Sequence, residues 1–258
     1  MTMATAATIE LEEAGLVIPI LFENRSVLAL DKPAGWMLAP DDWDETGRNL
    51  QLALLSSMNA GDFWARSRNL KFLRFVHRLD ADTSGVILFA KSPGALRAYS
   101  ELFEARRVEK YYLAVVSGVP KEARWVCRLP LAPDPRHKGR MKVVRNDAGK
   151  FKDAETRFMV LQSLRNKTLL EAQPMTGRTH QIRVHLAEAG HPVLEDPLYG
   201  TAKPPGPRSR PKLALRAGIL SFPDPFEQKK VRIEAAPDAF LRDHGFDPAV
   251  LNSKAVSS

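Results

Sequence analysis

His77-Arg78-Leu79-Asp80-Ala81-Asp82-Thr83-Ser84-Gly85 runs straight into Val86-Ile87-Leu88-Phe89-Ala90. Five unbroken apolar residues, β-branched and aromatic types among them, read as a buried strand, so the polar turn before them sits at the mouth of that strand. Such a position holds polar side chains on rigid backbone. The plain structural reading of an aspartate there is a cap on nearby backbone amides.

Outward from this stretch the chain alternates short apolar runs with turn chemistry. Residues 18–21 and 26–30 read as two strands, closed by Lys32-Pro33-Ala34-Gly35. Residues 49–58, with Leu50, Leu52, Leu54 and Leu55, suit a short helix, and Ser92-Pro93 opens another whose Leu96, Tyr99 and Phe103 share a face. Further strands are expected at 111–116, 141–144, 156–161, 168–172, 213–220 and 231–233. Thr179 is expected to cap a helix carrying Ile182 and Leu186, with Gly190 ending it. Runs of strands with few helices between them define an α+β class. Residues 1–17 read as a flexible tail, 18–240 as one catalytic domain and 241–258 as a second tail.

Composition narrows the function. The 258 residues are 44% hydrophobic, enough for a sizeable core, and no apolar run approaches the roughly twenty residues that a membrane helix needs. No membrane partner is expected, and a cytoplasmic location follows. The single cysteine, Cys127, rules out an intrachain disulfide framework and reads as a small core residue. A net charge of +8 favours a polyanionic partner. The cations are clustered: Arg66, Arg68, Lys71, Arg74 and Arg78; then Arg136, Lys138, Arg140, Lys142 and Arg145; then Lys203, Arg208, Arg210, Lys212 and Arg216. One such run is ordinarily a solvated face, whereas three along one chain suggest a groove for a polyanion.

Several common sites are absent. The fifteen glycines include no Gly-x-Gly pair and no Gly-Lys-Ser/Thr, which removes the main support for dinucleotide or nucleotide-triphosphate binding. Ser84 lacks the Gly-x-Ser-x-Gly elbow of a hydrolase. His180 and His185 stand five apart, off one helical face, so no metal site is expected; with His77 and His191 they read either as hydrogen-bonded structural residues or as part of a substrate shell.

The segment from His77 to Gly85 resembles the His-Arg-Leu-Asp-x-x-Thr-Ser-Gly motif of the RluA-type RNA pseudouridine synthases. A second block, Pro174-Met175-Thr176-Gly177-Arg178-Thr179-His180-Gln181-Ile182-Arg183-Val184-His185-Leu186, continuing through Gly190-His191-Pro192 to Leu198-Tyr199-Gly200, resembles the family's other long motif. Asp31-Lys32-Pro33-Ala34-Gly35 and the stretch from Lys110 to Gly118 agree in order, and the likeness covers about residues 18–236. Glu195 departs from it, standing where family members usually carry glycine.

The resemblance implies a mixed, largely antiparallel central sheet with flanking helices and an active-site cleft. It implies Asp80 as the catalytic carboxylate, Arg183 as the cation paired with it, and Tyr112 as the tyrosine that stacks on uracil. Arg78, His77, Thr83, Arg178, His180 and Gln181 are expected around the substrate. The partner would be ribosomal or transfer RNA, with the target uridine flipped out of its stack, no cofactor of any kind, and the protein a monomer. With the first motif starting at Asp31, the small RNA-binding module that precedes many relatives is not expected here. Two other classes remain open on the residues alone: a non-catalytic RNA-binding protein on the same scaffold, and a cofactor-free hydrolase that breaks a glycosidic bond with carboxylates.

Overall fold

The apolar run at Val86–Ala90 is a strand interior: the strand spans Ser84–Ala90, and every residue from Gly85 to Ala90 is buried. The structure is a computed structural model describing residues 8–38, 48–145, 150–200 and 212–252. Contacts divide the chain into two compact units, Met1–Val108 with Ile219–Ala235, and Glu109–Gly218 with Ala236–Ser258.

In the first unit β1 (Thr8–Leu11), β2 (Leu16–Glu23) and β3 (Val27–Lys32) precede two helices, α1 (Leu50–Ala60) and α2 (Phe63–Arg66). The chain then forms β4 (Arg74–Phe75), β5 (Ser84–Ala90) and α3 (Pro93–Glu104). The strand order is β1-β2-β3-β5, with β4 also on β5, and each of these pairs is antiparallel. Asn49 caps α1 by accepting from the Leu52 amide, and Ser92 caps α3 by accepting from Ala95, each satisfying a first-turn N–H. One face of α3, with Ala95, Tyr99 and Leu102, packs on Val86, Leu88 and Ala90 of β5.

The second unit contains β6 (Glu109–Ser117), β7 (Arg124–Cys127), the hairpin β8 (Leu131–Pro133) and β9 (Met141–Val143), then β10 (Thr156–Ser163), β11 (Lys167–Pro174) and α4 (Gln181–Glu188). Its sheet runs β6-β11-β10-β7, again antiparallel. Leu113, Val115, Leu169, Ile182 and Leu186 form its core, against which Cys127 packs half-buried. β12 (Leu215–Pro223) begins in this unit, and its continuation in the first unit pairs antiparallel with β13 (Lys230–Glu234). Two short helices follow, α5 (Asp238–Asp243) and α6 (Ala249–Asn252). Predominant antiparallel strands with few helices give the expected α+β class.

Three local expectations change. Residues 8–17, read as tail, form β1 and the start of β2, with Ile9 and Leu11 buried. The alternation of Thr8, Ile9, Glu10 and Leu11 was too brief to register as a strand. Residues 241–252 likewise leave the tail: Leu241 and Phe246 are buried in the second core, and Lys167 Nζ donates to the His244 carbonyl. Residues 1–7 and 253–258 lie outside the described residues. Lastly, Thr179 is not the cap of α4. That place is taken by His180 in left-handed backbone (φ 55°), without a side-chain cap bond.

Candidate active site

In the first unit the site is built around a buried lysine. β3 ends at Lys32, directly opposite Gly85 of β5. Gly85 has φ 112°, a conformation costly for any residue with a Cβ, so the polar motif closes on glycine for a steric reason. The Lys32 side chain is 0% exposed, and its Nζ donates to the carbonyls of Trp36 (2.7 Å), Ala81 (2.7 Å) and Pro33 (3.1 Å). Ala81 lies in the turn in which the Thr83 amide donates to the Asp80 carbonyl at 3.2 Å, and the Gly35 amide donates to Ala81 as well, at 2.9 Å. The turn bearing Asp80 is thus pinned from beneath. Burial drives the Lys32 amine down to about 7, opposed by the nearby carboxylates of Asp82 and Asp80.

Asp80 is half-buried on this turn, Thr83 is buried behind it and Arg78 is exposed. His77 packs its ring on Phe103 (centroids 4.7 Å apart) and accepts from the Leu88 amide at 3.3 Å, which anchors it to α3 and β5. These four residues come together in one unit.

The second unit holds the remaining candidates. Tyr112 is half-buried on β6, opposite Ala172 of β11. Tyr111 points to the other face, where its hydroxyl accepts from Gln173 at 3.1 Å. Lys110 shares the face of Tyr112; its Nζ donates to the Thr176 carbonyl at 3.2 Å, and burial lowers the amine to about 8.

At the start of α4, Gln181 organises the loop before it. Its Oε1 accepts from Thr176 Oγ1 (2.6 Å) and the Arg178 amide (3.0 Å), while Nε2 donates to the Glu155 carbonyl and Thr156 Oγ1 (both 2.9 Å). A glutamine amide offers two donors and two acceptor sites, so Gln181 is fully engaged by protein. The Arg178 Nε donates to the Asp153 carbonyl at 2.9 Å. His185, 0% exposed, bonds Thr156 Oγ1 and the Leu129 carbonyl, and burial lowers its pKa, so it is a neutral structural residue. His191 bonds the Ser117 carbonyl.

Arg183 is 2% exposed, not a surface arginine. Its Nε and Nη2 fork onto the carboxylate of Asp196 at 2.7 and 2.8 Å. Asp196 also accepts from the amides of Leu198 (2.9 Å) and Tyr199 (3.1 Å). Burial pushes the Asp196 carboxyl up, but Arg183 and the two amides outweigh it and hold the group below the usual carboxylate range. Gly200 closes the turn, because a Cβ there would sit 2.4 Å from the Asp196 carbonyl oxygen. Tyr199 completes the arrangement. Its ring lies under the guanidiniums of Arg183 (5.2 Å) and Arg140 (5.1 Å), and its hydroxyl meets His180 Nδ1 at 2.9 Å and the Met141 amide at 2.8 Å.

Sequence reasoning missed Asp196, Lys110 and Lys32 as functional residues, although all three stand inside the motif blocks. Of the basic clusters, Arg66, Lys71, Arg74 and Arg78 are exposed, as are Arg136, Lys138 and Lys142. Arg216 is buried and donates to the Ala236 carbonyl, which removes it from any solvent-facing groove. Lys203, Arg208 and Arg210 lie outside the described residues. Among the described residues no helix is long and apolar enough to cross a membrane. No cluster of three or more His, Cys, Asp or Glu side chains suited to a metal occurs among them either.

The family model for RNA pseudouridylate synthases matches residues 26–188, which include the Asp80 turn, Tyr112 and Arg183. A protein of Yersinia pestis named ribosomal large subunit pseudouridine synthase C is 37% identical over 232 residues, covering 89% of this chain and 68% of its own length. The protein of the same name from Vibrio cholerae is 34% identical, over 86% of this chain and 66% of its own. The chain thus spans about two thirds of the length of these relatives. Among solved structures, human RNA pseudouridylate synthase domain containing 1 superposes with a TM-score of 0.66 at 26% identity, covering 86% of this chain and 84% of its own. Human RNA pseudouridylate synthase domain containing 4 gives 0.65 at 25%, over 84% and 87%. The chain belongs to the RNA pseudouridine synthase family.

Proposed function

We propose that this chain isomerises a uridine of large-subunit ribosomal RNA to pseudouridine, with Asp80 as the catalytic carboxylate. The family match carries the reading, since it spans both motif-bearing segments. The relatives' names point to ribosomal rather than transfer RNA as substrate. The pinned turn of Asp80 supplies what the chemistry needs, a carboxylate held on rigid backbone rather than a mobile loop.

The reaction breaks the bond from uracil N1 to ribose C1′, turns the base and joins C5 to C1′. The C5 proton is lost and N1 gains one, so atoms balance without any cofactor. The target base is drawn out of its stack before reaction. Asp80 acts as nucleophile or base toward the reacting nucleotide. Tyr112 stacks on uracil and serves proton transfer at C5. Arg183 balances the negative charge of Asp80, as the family resemblance implies, and Asp196 orients it. Arg78, with Arg178 and His180, contacts RNA, while Gln181, His77 and Thr83 hold the supporting loops. The protein acts in the cytoplasm as a monomer, and its catalytic domain includes β1 at one end and α5 and α6 at the other.

RNA from cells lacking the gene, incubated with the purified protein and mapped for pseudouridine, tests the reading. One or a few new pseudouridines in large-subunit ribosomal RNA are expected. Release of free uracil would make the protein a hydrolase. Tight RNA binding with neither product would make it a non-catalytic binder.

A further inference from the structure

We infer that the exposed edge running from Phe63 to Arg78 is a docking track for an unpaired stretch of RNA, with Phe63 as a stacking platform for one base. The inference deepens the proposed function, on which it rests for the nature of the polyanion.

Phe63 is the most exposed large apolar side chain among the described residues, 76% open to solvent. Its neighbours are not. Trp64 is 5% and Ala65 2% exposed, and Trp64 Nε1 donates to Ser57 Oγ of α1 at 2.7 Å. Arg68 then ties the same turn down, donating from Nη1 to the Trp64 carbonyl at 2.9 Å and from Nε to Glu23 at 2.9 Å. Phe63 is therefore presented on a fixed backbone, and an aromatic ring so held gives up little conformational freedom on stacking.

Everything that follows it is cationic or neutral. No acidic residue occurs between Phe63 and Leu79, whereas Arg66, Lys71, Arg74 and Arg78 are all exposed. The flanking acids are engaged: Asp62 accepts from Ser57 Oγ, and Glu23 holds Arg68 and Lys91. The backbone that carries these cations is also fixed. Gln51 of α1 brackets Leu73 and Phe75, donating to the first's carbonyl (2.9 Å) and accepting from the second's amide (3.0 Å). From Arg74 the chain runs antiparallel along β5 toward the Asp80 turn, with Arg74 beside Ala90 and the Val76 amide on the Leu88 carbonyl. Arg66 ends α2, Lys71 lies in the loop after it, and Arg74 stands on β4. Cations so spaced along a fixed backbone suit successive phosphates, and an open aromatic face at the start of the run suits an unstacked base. A duplex offers phosphates but no free base face, so the track favours single-stranded RNA.

Equilibrium binding to full-length Asp80→Asn protein tests this without turnover, using a labelled twelve-nucleotide oligouridylate and an RNA duplex of twelve base pairs as probes. Adding Phe63→Ala is expected to weaken the single strand about tenfold and leave the duplex within about twofold, while Phe63→Trp restores the single strand. Replacing Arg66, Lys71 and Arg74 together by Gln should flatten the slope of log affinity against log salt for the single strand by about 2. Unchanged oligouridylate affinity in Phe63→Ala, or equal loss for both probes, would overturn the stacking platform. Unchanged binding accompanied by loss of self-association would assign Phe63 to a protein contact instead. None of these outcomes bears on whether uridine is isomerised, so the inference and the proposed activity can fail separately.

Discussion

At the residue scale, Glu195 carries an identifiable cost. It adopts φ 58°, where a Cβ crowds the following carbonyl, at a position where the resemblance in the sequence leads one to expect glycine. Its carboxylate recovers part of the cost by accepting from the Lys212 amide at 3.0 Å. Glu195→Gly should raise stability by about 1 kcal/mol, seen as a melting temperature roughly 3 °C higher. A lower melting temperature would show that the bond to Lys212 outweighs the backbone strain. Asp196, one residue on, is the opposite case. Removing its carboxylate strands the buried Arg183 charge, so Asp196→Ala should cost about 3–5 kcal/mol in denaturant unfolding and depress turnover. Turnover at the normal level in a folded Asp196→Ala protein would detach Asp196 from the chemistry.

At the scale of elements, the buried Lys32 joins the end of β3 to the loop after it and to the Asp80 turn. Lys32→Met leaves the carbonyls of Pro33, Trp36 and Ala81 without their shared donor, at a cost of about 3 kcal/mol in denaturant unfolding. The same burial links stability to pH. Between about 7 and the ordinary lysine value of 10.5, the folded Lys32 holds fewer protons than the unfolded one, so stability rises with pH across that window. Lys110 adds to the slope from about 8 upward. Urea midpoints at pH 7, 8 and 9 should therefore climb, and less steeply in Lys32→Met; equal slopes in the two proteins would count against the assignment.

Much of this was legible in the chain at the same scale. The cap Ser92, the buried strand after the polar turn and the Ile182–Leu186 face of α4 all follow from local patterns. The start of α4 was not legible, because Gln181 organises it through partners as distant as Glu155 and Thr156. Asp196 escaped for the same kind of reason. It lies thirteen residues beyond Arg183 in an irregular turn, and no periodicity links a buried acid to its base across such a gap.

At the scale of the whole molecule, many of the cations behind the charge of +8, Arg66, Lys71, Arg74 and Arg136 among them, are exposed, and the proposed function assigns them phosphate contacts. Affinity for unpaired RNA should fall steeply with salt, with a log–log slope of about −4 if six phosphates are engaged. Replacing Arg136, Lys138 and Lys142 by Gln is expected to reduce that slope by about 2 without moving the melting temperature, since all three are solvent-exposed. An unchanged slope would remove the β8–β9 hairpin from the RNA surface. Acid should destabilise the protein as the pH falls through and below the carboxylate range. Asp224, just past the end of β12, accepts from the Tyr99 hydroxyl at 2.6 Å and from the amides of Phe226 and Glu227. Burial pushes its carboxyl and that of Asp196 up, but their hydrogen-bond donors outweigh it and hold both below the usual carboxylate range, so that, unlike their unfolded counterparts, they resist protonation there.

The most direct measurement is single-turnover conversion of uridine in cognate ribosomal RNA by purified Asp80→Asn, with RNA affinity and melting temperature measured on the same sample. Product should fall below detection while affinity and stability stay near those of the unaltered protein. Pseudouridine formed at an undiminished rate would contradict the assignment of Asp80.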